Sequence, residues 1–197
     1  MHAIYGILYV VLLFICIYYL CAIQCTYNTI YEGLSNDTSY IFGYGSLVNT
    51  ESRNSTSVTL AQPVIIHKEF SYIRHYNTSQ PKLPPLGLVK ITDSTKQMPI
   101  NGVLFKVNED QLKRFDKREG DNTRIRVPTK YIDSFDKTID SSLPIYAYIP
   151  KPKPYCNKCT KPINYNYIQL VSDGFKEYGD AFYNLFVKTT QNLPKVN

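Results

Sequence analysis

The chain has 197 residues and a formal net charge of +6, with 44% hydrophobic and 19% charged residues; these values exclude wholesale disorder and fit one domain with an appendage. Twelve prolines and nine glycines, scattered along the chain, exclude a collagen-like or low-complexity polymer. All 22 basic residues lie at or beyond Arg53, but they are interleaved with acids, as in Lys113, Arg114, Asp116, Lys117, Arg118 and Glu119, and no nucleic-acid-binding motif accompanies them, so nucleic acid is not an expected partner.

In chain order, the first feature is an uncharged run. Residues 3–23, AIYGILYVVLLFICIYYLCAI, are mostly apolar and contain no Asp, Glu, Lys or Arg. A helix of that length rises about 30 Å, enough to cross a hydrocarbon core. The run therefore reads as a single-pass transmembrane anchor, with a cleaved signal peptide and a secreted product as the alternative. No Lys or Arg flanks it closely, so the side of the membrane stays open. Residues 24–39 are polar and turn-rich and read as a tether. Acceptor tripeptides for N-glycosylation stand at Asn36, Asn54 and Asn77.

Short β-type runs follow at 40–44, 58–66, 70–75, 86–91 and 100–107, each bounded by Pro, Gly or Asn. Asn108-Glu-Asp opens a helix, with Asn108 as N-cap and two acids at the positive end of the dipole. Strand character returns at 124–132 and 144–149. Residues 166–189 form the longest helix candidate, with Ile168, Val171, Phe175, Tyr178, Phe182 and Leu185 repeating at three and four. Many strands with two separate helices predict an α+β fold, a small closed or half-closed sheet flanked by helices. Cys156 and Cys159 lie in a proline-laden loop. They form half of a zinc site with no second half, so a local disulfide or two thiols remain as readings and no metal is expected.

Two segments carry chemistry. Glu119 lies seven residues beyond Leu112, about 700° around a helix, which returns it to the apolar Leu112–Phe115 face. An acid there is costly unless it is paired or used; capping the helix or pairing with Arg118, Arg124 or Arg126 is the structural alternative. Gly43-Tyr-Gly-Ser-Leu47 follows an apolar strand, and its glycines let backbone N–H groups approach a carboxylate or an oxyanion. Neither GxGxxG, GxxxxGKS, HExxH nor GxSxG occurs, and no His–Asp pattern backs Ser46.

Tyr40-Ile-Phe-Gly-Tyr-Gly-Ser-Leu-Val-Asn-Thr-Glu-Ser-Arg53 resembles the amino-terminal signature of the γ-glutamylcyclotransferase-like family. The resemblance continues through Pro85-Leu-Gly-Leu-Val89, Ile100-Asn-Gly-Val-Leu-Phe-Lys-Val107, Phe115-Asp-Lys-Arg-Glu119 and the helix beginning near Tyr167. It covers about residues 40–190, with 1–23 as anchor or signal, 24–39 as tether and 191–197 as tail. It implies a mixed β-barrel with flanking helices, and release of 5-oxoproline from a small γ-glutamyl amino acid, peptide or amine without metal or organic cofactor. On the same basis Glu119 is the implied catalytic acid/base, and Tyr44, Gly45, Ser46, Leu47 and Tyr167 the implied substrate-binding residues. The segment after the early strands does not resemble the glutathione-specific ChaC-type branch, which demotes glutathione as substrate. Residues 120–123 lack the Tyr that many relatives carry there. A tethered, non-catalytic binding module of the same fold is the alternative reading.

Overall fold

The computed structural model describes residues 17–19, 38–77, 85–120, 122–134, 139–151 and 162–195. The chain divides into two units, Met1–Asp37 and Thr38–Asn197. In the first, the described residues Ile17, Tyr18 and Tyr19 are helical and exposed; the rest of the apolar run and the tether up to Asp37 lie outside the described residues, as do Cys156 and Cys159. Among the described residues no helix is long and apolar enough to cross a membrane. The expected single-pass membrane placement is corrected on that finding.

The second unit is α+β. Its strands are β1 (Ser39–Gly43), β2 (Ala61–Ile66), β3 (Tyr72–Tyr76), β4 (Leu86–Lys90), β5 (Ile100–Val107), β6 (Asn122–Arg126), β7 (Ile132–Ser134), β8 (Ile145–Pro150) and β9 (Thr190–Gln191). Its helices are α1 (Thr50–Asn54), α2 (Glu109–Arg118), α3 (Tyr165–Lys176) and α4 (Asp180–Thr189). Six strands form one mixed sheet in the order β6-β8-β1-β5-β2-β7, and β4-β3-β9 form a second. β5 lies between β1 and β2, antiparallel to both, and only Lys106 along it reaches solvent. Alternation sends Ile41, Val103 and Phe105 to one core with Phe115, Val171, Phe175 and Phe186. It sends Phe42 and Leu104 to a second core with Val64, Ile66 and Ile100.

Among the described residues neither sheet closes into a barrel, which corrects the expected barrel architecture. The large sheet ends in β6 on one side and β7 on the other, and these strands are joined by only five residues, 127–131. Five residues span at most about 17 Å, so the sheet must curl strongly to bring its edges that close. Pro128 and the 3₁₀ turn Thr129–Tyr131 carry the chain across the gap, where a proline supplies no N–H for pairing. That crossing also splits the run expected at 124–132. A second gap lies where β4 packs beside β8: a Cβ on Gly87 would stand 2.5 Å from the Pro150 ring, and proline again offers no donor.

The remaining elements follow from local chemistry. α2 begins with a reciprocal capping box, in which Asn108 Oδ1 accepts from the Gln111 N–H and Gln111 Oε1 accepts from the Asn108 N–H. The long carboxy-terminal helix expected at 166–189 is two helices. Gly179, at φ +94° and ψ 163°, separates them in a conformation essentially reserved for glycine.

Candidate active site

Where β1 ends, the chain tightens into a 3₁₀ turn, Ser46–Val48. Gly43 allows it, because a Cβ there would stand 2.8 Å from Leu47 Cβ. Two fully buried arginines hold the turn by its carbonyl oxygens. Arg53 Nη1 donates to Leu47 O at 3.0 Å and Val48 O at 3.1 Å. Arg74 Nη1 donates to Tyr44 O at 3.4 Å. With carbonyls drawn toward these cations, the first amides of the turn have no carbonyl partner inside it. α3 presses on the same loop from outside: a Cβ on Gly174 would meet Asn49 N at 2.5 Å.

Tyr167, in the first turn of α3, lays its phenol over this loop. A Cβ on Gly45 would lie 3.0 Å from Tyr167 Oη, and the nearby N–H and hydroxyl of Ser46 act against the rise of the phenol's pKa. Burial, with Glu119 nearby, pushes the Tyr167 phenol well above its ordinary pKa, so it stays a neutral hydroxyl. Tyr44 is buried too, and its pKa is raised chiefly by burial. Its hydroxyl donates to the Tyr148 carbonyl, which ties the loop to β8.

Glu119 arrives from the other side. Helix α2 stops at Arg118, and Glu119 caps it with its N–H on Phe115 O at 2.9 Å. A turn then returns the Asn122 N–H to Glu119 O at 2.6 Å. The Glu119 side chain is 17% exposed, with Arg118 Nε 3.7 Å from Oε1 and Asn122 Nδ2 donating to Oε2 at 2.7 Å. Burial raises its pKa, while the Asn122 hydrogen bond and the Arg118 charge oppose the rise. Arg118 is mostly committed elsewhere. Its Nη atoms donate to Ser52 O, Ser52 Oγ, Thr56 Oγ1 and, at 3.3 Å, Ser46 Oγ.

Between these walls lies a cavity of about 240 Å³, lined by residues 42–47, Pro85, Leu86, Arg118, Glu119, Asn122, Tyr148 and Tyr167. All six residues singled out from the sequence thus border one cavity. Arg118, which the sequence marks only as a partner for Glu119, lines the same cavity, and so do Asn122 and Tyr148, which no sequence pattern marks. Asp116 accepts from Tyr148 Oη at 2.8 Å and Arg124 Nη1 at 2.7 Å. Chemically, the cavity sets a desolvated carboxylate opposite a donor-rich turn. Among the described residues no three His, Cys, Asp or Glu side chains converge as metal ligands.

No protein-family model matches the chain, and no curated protein matches it in sequence. Solved structures do match its fold. A structure described as γ-glutamyl cyclotransferase superposes with a TM-score of 0.57 at 15% identity, over 81% of this chain and 92% of that one. YkqA from Bacillus subtilis gives 0.57 at 14% identity, over 85% of this chain but 59% of its own length. A yeast γ-glutamyl cyclotransferase specific to glutathione gives 0.51 at 14% identity, over 81% of this chain and all of the other. The chain therefore has the γ-glutamyl cyclotransferase-like fold, and the resemblance read from its sequence is matched at that level.

Proposed function

We propose that this protein is a γ-glutamyl cyclotransferase, releasing 5-oxoproline from a γ-glutamyl amino acid, peptide or amine. The observation that carries the reading is the placement of a desolvated Glu119 carboxylate in one cavity with the Tyr44–Leu47 loop and Tyr167.

The reaction is an intramolecular transfer. The substrate's α-amine attacks its own γ-carbonyl carbon and closes a five-membered ring, so proximity is supplied by the molecule itself. Glu119 takes the proton that the α-ammonium must lose, and a carboxylate whose pKa is raised by burial suits that task. As the γ-carbon–nitrogen bond breaks, Glu119 returns the proton to the departing amine. Backbone N–H groups of residues 45–47 receive the substrate α-carboxylate or the developing oxyanion. The Tyr167 hydroxyl, neutral and beside Ser46, contacts the substrate at the same wall.

The test is to incubate the full chain with a panel of γ-glutamyl dipeptides, γ-glutamyl amines and glutathione, and to measure 5-oxoproline. Glu119→Gln keeps the shape and removes the base, so turnover is expected to fall about 10²–10⁴-fold with the melting temperature little changed. Parent-rate turnover in that variant would sink the mechanism. Binding of panel compounds without 5-oxoproline release by the parent would instead favour a non-catalytic binding module of the same fold.

A further inference from the structure

Asn122 occupies the last position of the turn that follows α2. The backbone bond from its N–H to Glu119 O brings the two side chains together, and Asn122 Nδ2 donates to Glu119 Oε2 at 2.7 Å, a length typical of a charged acceptor. The opposite end of this amide is the informative one. Asn122 Oδ1 is shut off from solvent and has no hydrogen-bond partner among the described residues, a costly omission for a buried acceptor. An amide kept for packing would be satisfied at both ends. Reversing it would set two acceptors face to face, so the negative charge of Glu119 fixes its orientation. Among the described residues, Asn122 Nδ2 is the only group donating a hydrogen bond to the Glu119 carboxylate.

We propose that Asn122 is a positioning residue for the reaction above, holding Glu119 in one orientation and in its carboxylate form, ready to take the amine proton. The proposal rests on the cyclotransferase reading. The other groups facing Glu119 are Arg118 of α2, whose Nε stands 3.7 Å away, and two phenols, Tyr44 from the loop and Tyr167 from α3. Both phenols are held neutral by burial and bring no positive charge. Burial by itself favours the protonated acid, which cannot act as a base, and the Asn122 amide opposes it.

The experiment is the pH dependence of kcat/KM for 5-oxoproline release by the full chain, using the panel γ-glutamyl dipeptide that turns over fastest. Glu119 must be ionised, so its titration forms the acidic limb. Asn122→Leu removes the donor on the same branched skeleton, and the limb should move up by about one pH unit. Below the parent limb that is about a tenfold loss; well above both limbs the rate should return to within a few-fold of the parent. Asn122→Asp, which adds a second carboxylate, should move the limb further. A loss equal at every pH with an unmoved limb would overturn the proposal and leave Asn122 a structural residue. Should the Leu variant fail to fold, the Asp variant, nearly identical in shape, carries the test. A parent protein that turns over no panel compound overturns the functional reading and this inference together. Turnover with an unmoved limb overturns this inference alone.

Discussion

At the scale of single residues, Gly45 is where the site has no room for a side chain. The tight contact that a Cβ would make is with Tyr167 Oη, at 3.0 Å; Leu86 Cδ2, at 3.7 Å, lies at ordinary van der Waals distance. Gly45→Ala should therefore push the phenol off the loop and lower kcat/KM at least about tenfold, or ~1.4 kcal/mol, with folding preserved. In a Tyr167→Phe background the obstructing oxygen is gone, so the same substitution should add little, a non-additivity that a double-mutant cycle measures. Equal losses in both backgrounds would show that the contact is not the cause. The site residues legible in the sequence were those with local patterns: glycines after an apolar strand, and an acid on an apolar helical face. Arg118 was seen only as a neighbour of Glu119, because its ties to Ser46, Ser52 and Thr56 reach 62 to 72 positions back along the chain. The Asp116–Tyr148 bond escapes sequence reading for the same reason, since the partners lie 32 positions apart.

Elements were legible where one periodicity runs between clear stops. β5 falls at 100–107 as expected, and α2 starts from Asn108 with the expected cap. The carboxy-terminal helix misled because Phe175, Tyr178 and Phe182 keep a helical rhythm across a break in the backbone. Only the glycine between them marked it. Gly179 touches nothing at its Cβ position, so a substitution there tests backbone conformation alone. Gly179→Ala should cost about 1–3 kcal/mol, read from urea denaturation, with activity per folded molecule unchanged. A change below a few tenths of a kcal/mol would mean that the α3–α4 junction adapts to another conformation at no expense. Pro128 is the second lesson: the residues on either side of it form β-type runs, but they pair at opposite edges of the sheet, which periodicity does not encode.

Across the whole molecule, the two sheets, the helical layer and the site loop meet at Arg74. Its Nε donates to Thr190 Oγ1 at 2.8 Å; its Nη atoms donate to Asn101 O at 2.7 Å, Asn101 Oδ1 at 2.8 Å, Thr189 Oγ1 at 3.2 Å and Tyr44 O at 3.4 Å. The guanidinium also lies against the rings of Phe175 and Phe186, 4.9 and 4.6 Å from their centroids. Burial works against its charge, but the five donors of the fork are all placed. Lysine brings three donors and no plane, so Arg74→Lys should leave buried acceptors unmet and cost about 3–5 kcal/mol, measured by denaturation of the full chain. A loss under about 1 kcal/mol would place the weight of the assembly elsewhere. Nothing local announces this residue, because its acceptors lie 27 to 116 positions away. That separation also sets a clock on biosynthesis. Arg74 leaves the ribosome long before Thr189 and Thr190 are made, and until they follow, the cation lacks two of its acceptors and β3 lacks its β9 neighbour. A nascent chain that stalls short of Thr190 would release a substrate for proteases, not a partly built domain.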